Sequence, residues 1–472
     1  MKQAAYIIIL ALFAGLGSCK KYLDVKPEDS VPEDVLYSSE EGFRQHLNGI
    51  YLQLTSESLY GGQLTMEMLD VLAQRYNSSS LNNYYYLGAY DYTYYKVKPK
   101  LASAWEGLYR TIADINTLLE KAEEHRELFA GVNYDLIKGE GLGLRAFLHF
   151  DALRMFGPIY KTDSMDLKLI PYYKTRTSAI APQLTAKEVI ENIIADLKEA
   201  ETYLQKDPVI TSGKVGDGTK AFTTARHLRM NYYALKLLQA RVYLYANRKE
   251  EALAAALTVI EKQPAWFPFV TSGEITTTSP DRVFSNELVF AMQDIHIADK
   301  YNNYFNSSLS NSGILAPVET LLKNVYENSS NDYRFYAQIW NTPSDGSKSF
   351  RCFYKYAPMS DTVIRKYYIP LMRVTEAYLI AAESSTVTAD KFKHLNTVRA
   401  ARNLPALATT VNFTTELTKE YQKEFYGEGQ LFFYYKRNNT ATIASGTGSG
   451  NVAMGADKYI LPLPDSETMS RN

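Results

Sequence analysis

The chain has 472 residues, of which 46% are hydrophobic and 22% charged, ordinary values for a globular protein. Its 51 basic residues are balanced by 52 acidic ones, and a net charge of −1 excludes the electrostatic footprint of a nucleic-acid-binding protein. The unusual component is tyrosine, with 38 copies against 20 phenylalanines and 3 tryptophans.

Lys2 precedes an apolar run over residues 4–17 that is too short to cross a bilayer and is built like a secretory signal. The run ends in Leu16-Gly17-Ser18-Cys19, the pattern of a bacterial lipoprotein signal with cleavage before Cys19 and acylation of its thiol. Cys352 is the one other cysteine, so no disulfide is expected despite an oxidising compartment. Acyl chains on Cys19 would tether the protein to a membrane. No later stretch approaches the ~18 uninterrupted apolar residues of a transmembrane helix.

Ser38 and Glu41 read as a capping box, followed by Phe43, Leu47, Ile50, Tyr51 and Leu54 on one helical face. Residues 82–95, "NNYYYLGAYDYTYY", hold seven tyrosines in fourteen positions. In an extended segment Tyr90, Tyr92 and Tyr94 would share one face. Leu101, Trp105, Leu108, Ile112, Ile115 and Leu119 then predict a long helix, and residues 136–156 another, stopped by Gly157-Pro158. Within it "GEGLG" lacks the strand a phosphate loop needs, so Gly139 to Gly143 are expected to permit close helix contact. A capping box of Thr185 and Glu188 opens a fourth helix.

Residues 231–245 and 250–261 predict a helix pair. Its Ala240, Tyr243, Ala252, Ala256 and Pro264 fall at tetratricopeptide spacing, and such a pair needs neighbours stacked on it. Gly/Ser/Thr clusters at 211–219, 271–280, 341–349 and 440–455 read as surface loops. Residues 283–294 look strand-like and 301–312 irregular, while 371–383, 390–401 and 415–437 return to helix. The expected fold is mainly α: a tetratricopeptide-like helix-pair scaffold with an irregular, loop-rich region packed on it.

The ordered stretches "SCKKYLD", "SEEGFRQHLNGIY", "AWEGLYRTIADINTLLEKA", "GLGLRAFLHFDALRMFGPI", "IPLMRVTEAYLIAAES", "HLNTVRAARNLP" and "YILPLPDSE" run over nearly the whole chain. In them the chain resembles the SusD/RagB family of Bacteroidetes nutrient-uptake lipoproteins. The resemblance implies a signal peptide over 1–18, an N-terminal SusD-like helical region over 19–265 and a C-terminal RagB/SusD region over 266–472. It also implies a role without enzymatic chemistry, cofactor or metal. Such proteins sit at the outer membrane facing the cell exterior, as lids over a SusC-like TonB-dependent transporter, and capture glycans or, in some branches, peptides. In "EYQKEFYGEGQLFFYYKR", Glu420, Glu424, Glu428, Gly429 and Arg437 match the family pattern, but Tyr421 and Leu431 replace arginines and Tyr434 replaces an aspartate. Those departures place the chain in a divergent branch. Lys20 and Lys21 stand after the lipidated cysteine, where acidic residues are thought to favour export to the surface.

The family's captured ligand and transporter-facing surface lie near the segment before the "AWEGLYRTIADIN" helix. Tyrosine rings stack on the C–H faces of sugars, and amides and acids meet the hydroxyls. Asn82, Tyr84, Tyr86, Tyr90, Asp91 and Tyr92 are therefore the candidate ligand contacts, with Tyr301 and Trp340 as a second group; helix packing or transporter contact is the alternative for the same rings. Trp266, beside Phe267 and Phe269, reads as core. The six histidines never pair at metal-ligand spacing. Glu420, Glu424 and Glu428 stand at i, i+4, i+8 and are read as ion-pairing residues rather than the paired carboxylates of a glycosidase. A lipid-anchored helical-repeat glycoside hydrolase and a protein-only interaction scaffold are the alternatives.

Overall fold

The structure, a computed structural model, describes residues 32–160, 166–214, 222–336, 338–359 and 363–471; Cys19 and the signal segment lie outside them. The first helix, α1 (Glu40–Leu54), is capped one residue later than the sequence pattern indicates: the Ser39 hydroxyl accepts from the Gly42 amide, while Ser38 turns back to the Val35 carbonyl. Its Phe43, Leu47, Ile50 and Leu54 are fully buried, as the spacing requires. Helix α2 (Lys98–Glu124) and helix α3 (Asn133–Phe156) follow.

Every residue of α3 from Gly139 to Phe156 is buried, so this helix has no polar face and serves as the axis of the scaffold. It packs against α2 and against α4 (Ala186–Leu204), which opens with the complete Thr185–Glu188 capping box. The three glycines of "GEGLG" let three neighbours approach. An added Cβ would come within 2.6 Å of Leu204 at Gly139 and 2.7 Å of Leu119 at Gly141; at Gly143 it would come within 2.7 Å of Met230. Helix α5 (Tyr232–Tyr245), capped by the Asn231 side chain, pairs with α6 (Lys249–Glu261) through buried Ala240, Ala252 and Ala256. The stack continues through α7 (Val374–Ser384) on α6 and α8 (Thr388–Ala401) on α7, and the fold is mainly helical and tetratricopeptide-like.

The second half departs from its expected elements in four places. Leu371 to Arg373 finish a strand instead of opening a helix: strand β1 (Leu288–Gln293) pairs antiparallel with β2 (Tyr368–Arg373), Leu288 lying opposite Arg373. Ile297–Tyr304 forms two helical turns that run into the start of the stretch expected to be irregular. A short hairpin, Thr442–Ala444 with Asn451–Ala453, stands inside an expected loop. The long helix over 415–437 is two helices, α9 (Phe413–Glu424) and α10 (Gln430–Arg437), parted where Gly427 and Gly429 take φ of +71° and +69°. A side chain at Gly429 would also meet the Leu64 carbonyl at 2.1 Å, so the break is set by a close approach from the first half of the chain.

At that break lies a buried charge network. Glu424 accepts from the guanidinium groups of Arg334 (2.8 Å), Arg402 (2.6 Å) and Arg373. Arg402 also forks onto Glu287 at 2.7 and 2.6 Å, Arg373 onto Glu428 at 3.1 Å, and Arg334 onto Asp332 at 2.7 and 2.9 Å. Glu420 takes Arg399 at 2.8 Å, and Lys355 reaches Glu428. Burial pushes the Glu424 carboxyl towards its neutral form, but Arg402, Arg373 and Arg334 prevail and hold its pKa well below the usual carboxylate range.

In the scaffold, His149 stacks on Tyr172 (3.8 Å, 17°), accepts from the Tyr173 amide at Nε2 (3.1 Å) and so donates from Nδ1 to the Arg145 carbonyl (2.9 Å). Burial depresses its pKa to about 3.

Two outcomes follow from these groups. Glu424→Ala removes the carboxylate that three buried guanidiniums share, leaves one positive charge in excess in the interior, and is expected to cost ~3–5 kcal/mol in urea denaturation with the slope unchanged; a loss below ~1 kcal/mol would contradict a buried network. Because the unfolded chain protonates its histidine near pH 6.5 and folded His149 does not, stability from this group is complete above ~6.5 and is lost as pH falls towards 3. Melting curves between pH 7 and 4.5 should fall less steeply for His149→Gln than for the wild type.

Candidate ligand-binding surface

The tyrosine-rich stretch is not extended. Tyr85–Gly88 makes one helical turn, Tyr90 takes a left-handed φ of +60°, and the Asp91 carboxylate accepts from the Thr93 amide (3.2 Å) and hydroxyl (2.7 Å) to close the next turn. The expected shared face of Tyr90, Tyr92 and Tyr94 is therefore corrected: the reversal at Tyr90 sends the rings in different directions. Tyr90 points inward, its hydroxyl donating to the Leu72 carbonyl at 2.7 Å and accepting from Gln74 at 3.2 Å. Tyr92 donates to the Lys458 carbonyl at 2.5 Å. The Asn82 side chain accepts from the Tyr84 amide at 2.8 Å, an Asx turn that starts the segment.

Four rings remain outside. Tyr86 and Tyr94 stack face to face at 3.5 Å and 11°, with Tyr85 edge-on to Tyr86 at 5.2 Å and Tyr95 tilted against Tyr94 at 4.7 Å. Lys96 stands 5.7 Å from the Tyr95 ring. Tyr85 and Tyr86 are more than one-third exposed, Tyr95 is 68% exposed, and Leu81 at the edge of the patch is 85% exposed. Of the residues expected to meet ligand, Tyr86 is exposed and Tyr84 and Asp91 half-buried, whereas Asn82, Tyr90 and Tyr92 are buried. Tyr85, Tyr94 and Tyr95 were outside the nominated set. Composition marks the whole stretch, but no periodicity marks these rings, because the turn that selects them is irregular.

The second nominated group divides as well. Tyr301 is buried against Tyr354, and Trp340 is 2% exposed, packed on Phe353 (4.6 Å) and Tyr426 (5.0 Å) with its indole N–H donating to the Tyr326 hydroxyl (3.4 Å). These two rings are core. The loop that follows Tyr301 does reach the tyrosine patch: the Asn83 amide donates to the Ser312 carbonyl at 2.8 Å. Exposed Asn302, Asn303, Ser308, Ser310 and Asn311 lie in that segment, and Tyr304 donates to Glu57 at 2.8 Å beneath it. The result is an aromatic patch with an amide and hydroxyl border.

The departures in "EYQKEFYGEGQLFFYYKR" fall elsewhere, in the core. Glu420, Glu424 and Glu428 belong to the charge network, as ion-pairing residues. Tyr421 and Tyr434, which stand in place of an arginine and an aspartate, stack on each other at 4.1 Å and 21°, and the Tyr434 hydroxyl meets Thr418 at 2.7 Å. One departure answers the other.

Comparison with known proteins bears on the family and the fold. A family profile described as "Starch-binding associating with outer membrane" matches residues 21–212, and one described as "SusD family" matches residues 322–462. Two curated relatives from Formosa agariphila, SusD-like proteins P38 and P25, are 24% identical over 262 residues and 19% identical over 303, covering 54% and 62% of this chain. The matched stretches span about half of those relatives, 44% and 52% of their lengths. A SusD superfamily protein from Bacteroides thetaiotaomicron superimposes with a TM-score of 0.71 at 19% identity, covering 92% of this chain and 98% of the other. A SusD-like carbohydrate binding protein from Bacteroides vulgatus gives 0.69 at 18%, covering 92% and 96%. A laminarin binding SusD-like protein gives 0.62 at 19%, covering 92% and 98%.

The stacked tyrosines of the core generate a double-mutant cycle. Tyr421→Arg and Tyr434→Asp each bury an unpaired charge and should cost ~3 kcal/mol or more, while the double variant should recover at least ~1 kcal/mol of the sum in chemical denaturation.

Proposed function

Because the chain belongs to the SusD/RagB family, we propose that it is an outer-membrane lipoprotein, anchored through Cys19 and facing the cell exterior, that captures an oligosaccharide and passes it to a SusC-like TonB-dependent transporter. The observation that carries this reading is the run of exposed Tyr85, Tyr86 and Tyr95 around half-buried Tyr94, in which the stacked Tyr86–Tyr94 pair offers a rigid apolar platform. Two or three half-buried phenols stack on sugar rings at little entropic cost, and the bordering asparagines and serines meet hydroxyls. The starch-binding description of the matched profile and the laminarin binding relative support a polysaccharide over a peptide.

The protein acts by binding and not by chemistry on this reading. Glu420, Glu424 and Glu428, the row of carboxylates most like a catalytic set in sequence, are buried and held by arginine and lysine. A general acid needs access to substrate and a raised pKa, whereas Glu420 and Glu424 are shifted down.

Calorimetric titration of the purified protein with maltoheptaose and laminarihexaose tests the proposal. One of them should bind to the wild type, and Tyr86→Ala with Tyr94→Ala should weaken it at least ~10-fold. Tyr90→Phe should leave affinity unchanged, since its ring lies inside. Absence of binding to either glycan, together with failure of a TonB-dependent receptor to co-purify, would sink the reading; release of reducing sugar would establish a hydrolase in its place.

A further inference from the structure

An aromatic-walled cavity lies along α2. It measures about 240 Å³ and lies between α2, the loop from Pro171 to Ile180, and Glu467 in the short helix Asp465–Met469. Half-buried Tyr109 and Tyr173 form one wall, Tyr173 edge-on to Tyr109 at 5.9 Å and 77°; Trp105, 5% exposed and packed on Phe156, lies behind Tyr109 with ring centroids 4.4 Å apart. Opposite these rings, Thr175, Thr177 and Ser178 are exposed on the loop.

The cavity is held open by its own frame. The Tyr109 hydroxyl donates to the Pro171 carbonyl (3.0 Å), and the Asn116 amide donates to the carbonyls of Tyr173 (3.1 Å) and Thr175 (3.3 Å). Arg145 holds the Lys174 carbonyl at 2.7 Å, Tyr173 accepts from the Ala181 amide at 3.2 Å, and Arg471 fastens the Ala181 carbonyl at 2.7 Å. Glu467 is occupied by Arg471 at 2.6 Å, so the lining presents no free charge. A neutral cavity with rings on one side and hydroxyls on the other suits an uncharged, amphipathic ring. Its volume is below the ~300–1,000 Å³ of clefts for drug-sized ligands, enough for one ring and too small for a chain.

Its position relates it to the tyrosine patch. Lys98, Trp105, Tyr109 and Asn116 follow one another at +7, +4 and +7 and therefore share one face of α2. At the head of that face Lys98 pairs with Asp465 at 2.6 Å, two residues from the Glu467 that closes the cavity. Tyr94 and Tyr95 end three residues before Lys98. With a rise of ~1.5 Å per residue, the cavity begins roughly 10–15 Å along the helix from the patch.

We infer that this cavity is a second carbohydrate subsite, taking a single neutral pyranose ring against Tyr109 and Tyr173, in front of the buried Trp105, further along the same chain or branch that the tyrosine patch holds. The inference rests on the carbohydrate reading of the patch. Trp105 is itself the reporter: the other tryptophans are elsewhere, Trp266 against Gly213 and Trp340 in the core.

The experiment is a titration of the purified protein with D-glucose and with laminarihexaose, read by tryptophan emission and, for the hexasaccharide, by calorimetry. Ala113→Phe, at an exposed helical position lining the cavity, fills it from one side; Thr177→Phe, on the exposed loop, fills it from the other. A saturable change in emission that survives Tyr86→Ala/Tyr94→Ala, and is abolished by either filling variant at unchanged melting temperature, is the expected result. Hexasaccharide affinity in the filled variants should drop about tenfold. If the hexasaccharide binds while emission stays still and both filled variants bind like the wild type, the subsite is overturned and capture at the patch stands. If no sugar binds to any form, the subsite is overturned, and the capture reading falls with it when maltoheptaose also fails to bind and no TonB-dependent receptor co-purifies. Emission that responds to tryptophan- or leucine-containing peptides but to no sugar would make the cavity a protein contact and overturn the subsite.

Discussion

Three buried guanidinium groups converge on one carboxylate, Glu424, and the second half of the chain is arranged around that meeting. Arg334, Arg373 and Arg402 come from the short helix Tyr333–Tyr336, the end of β2 and the end of α8, and Arg402 and Arg373 extend the network to Glu287 before β1 and Glu428 after α9. Burying so many charges brings little net stability, because desolvation offsets most of the attraction. What it imposes is registry: each carboxylate has its full set of donors in one arrangement of five chain segments. Any slip of β2 or α9 would leave a charge unpaired in the interior, at a cost of several kcal/mol.

The two halves of the chain meet through polar contacts of the same kind. Arg75 lies 3.8 Å from the Tyr426 ring, and Asp70 accepts from the Gly427 amide at 2.7 Å, beside the glycines that separate α9 from α10. From α10, Lys436 donates to the Met155 and Gly157 carbonyls at 3.1 and 2.8 Å, satisfying the open end of α3. Burial, and then the nearby Arg154, drive the pKa of that amine far below the usual lysine value. The break at Gly427–Gly429 is thus where the scaffold axis, the charge network and the segment leading to the tyrosine patch are joined.

This joining explains why tyrosine is so abundant. Inside, Tyr51, Tyr60 and Tyr172 fill apolar space and hydrogen-bond to Glu140, Asp151 and Asp196, three carboxylates each also held by an arginine. Phenylalanine would fill the same volume and leave those acceptors short of a donor. Outside, the same residue presents a ring with a wet edge. The stretch from Asn82 to Tyr95 uses both modes within fourteen residues, with Tyr90 and Tyr92 anchoring the backbone and Tyr86 and Tyr94 facing outward.

Helices carried their own evidence in the chain. The 3.6-residue spacing of Phe43, Leu47, Ile50 and Leu54, the Thr185–Glu188 box and the small residues pairing α5 with α6 each depend on neighbours within one or two turns, so sequence alone determined the helical scaffold. Composition also sets residues 82–95 apart as a candidate surface, with Tyr301 and Trp340 as a separate second group. Which rings face solvent was decided only by tertiary structure. The left-handed turn at Tyr90 is sustained by Leu72 and Gln74, residues distant in sequence, and the helix break at Gly429 by the carbonyl of Leu64. Trp340 and Tyr301 look like ligand-stacking residues until Phe353, Tyr426 and Tyr354 close over them. Local periodicity reports what a segment does with its own backbone; it carries no information about which side chains distant segments will cover.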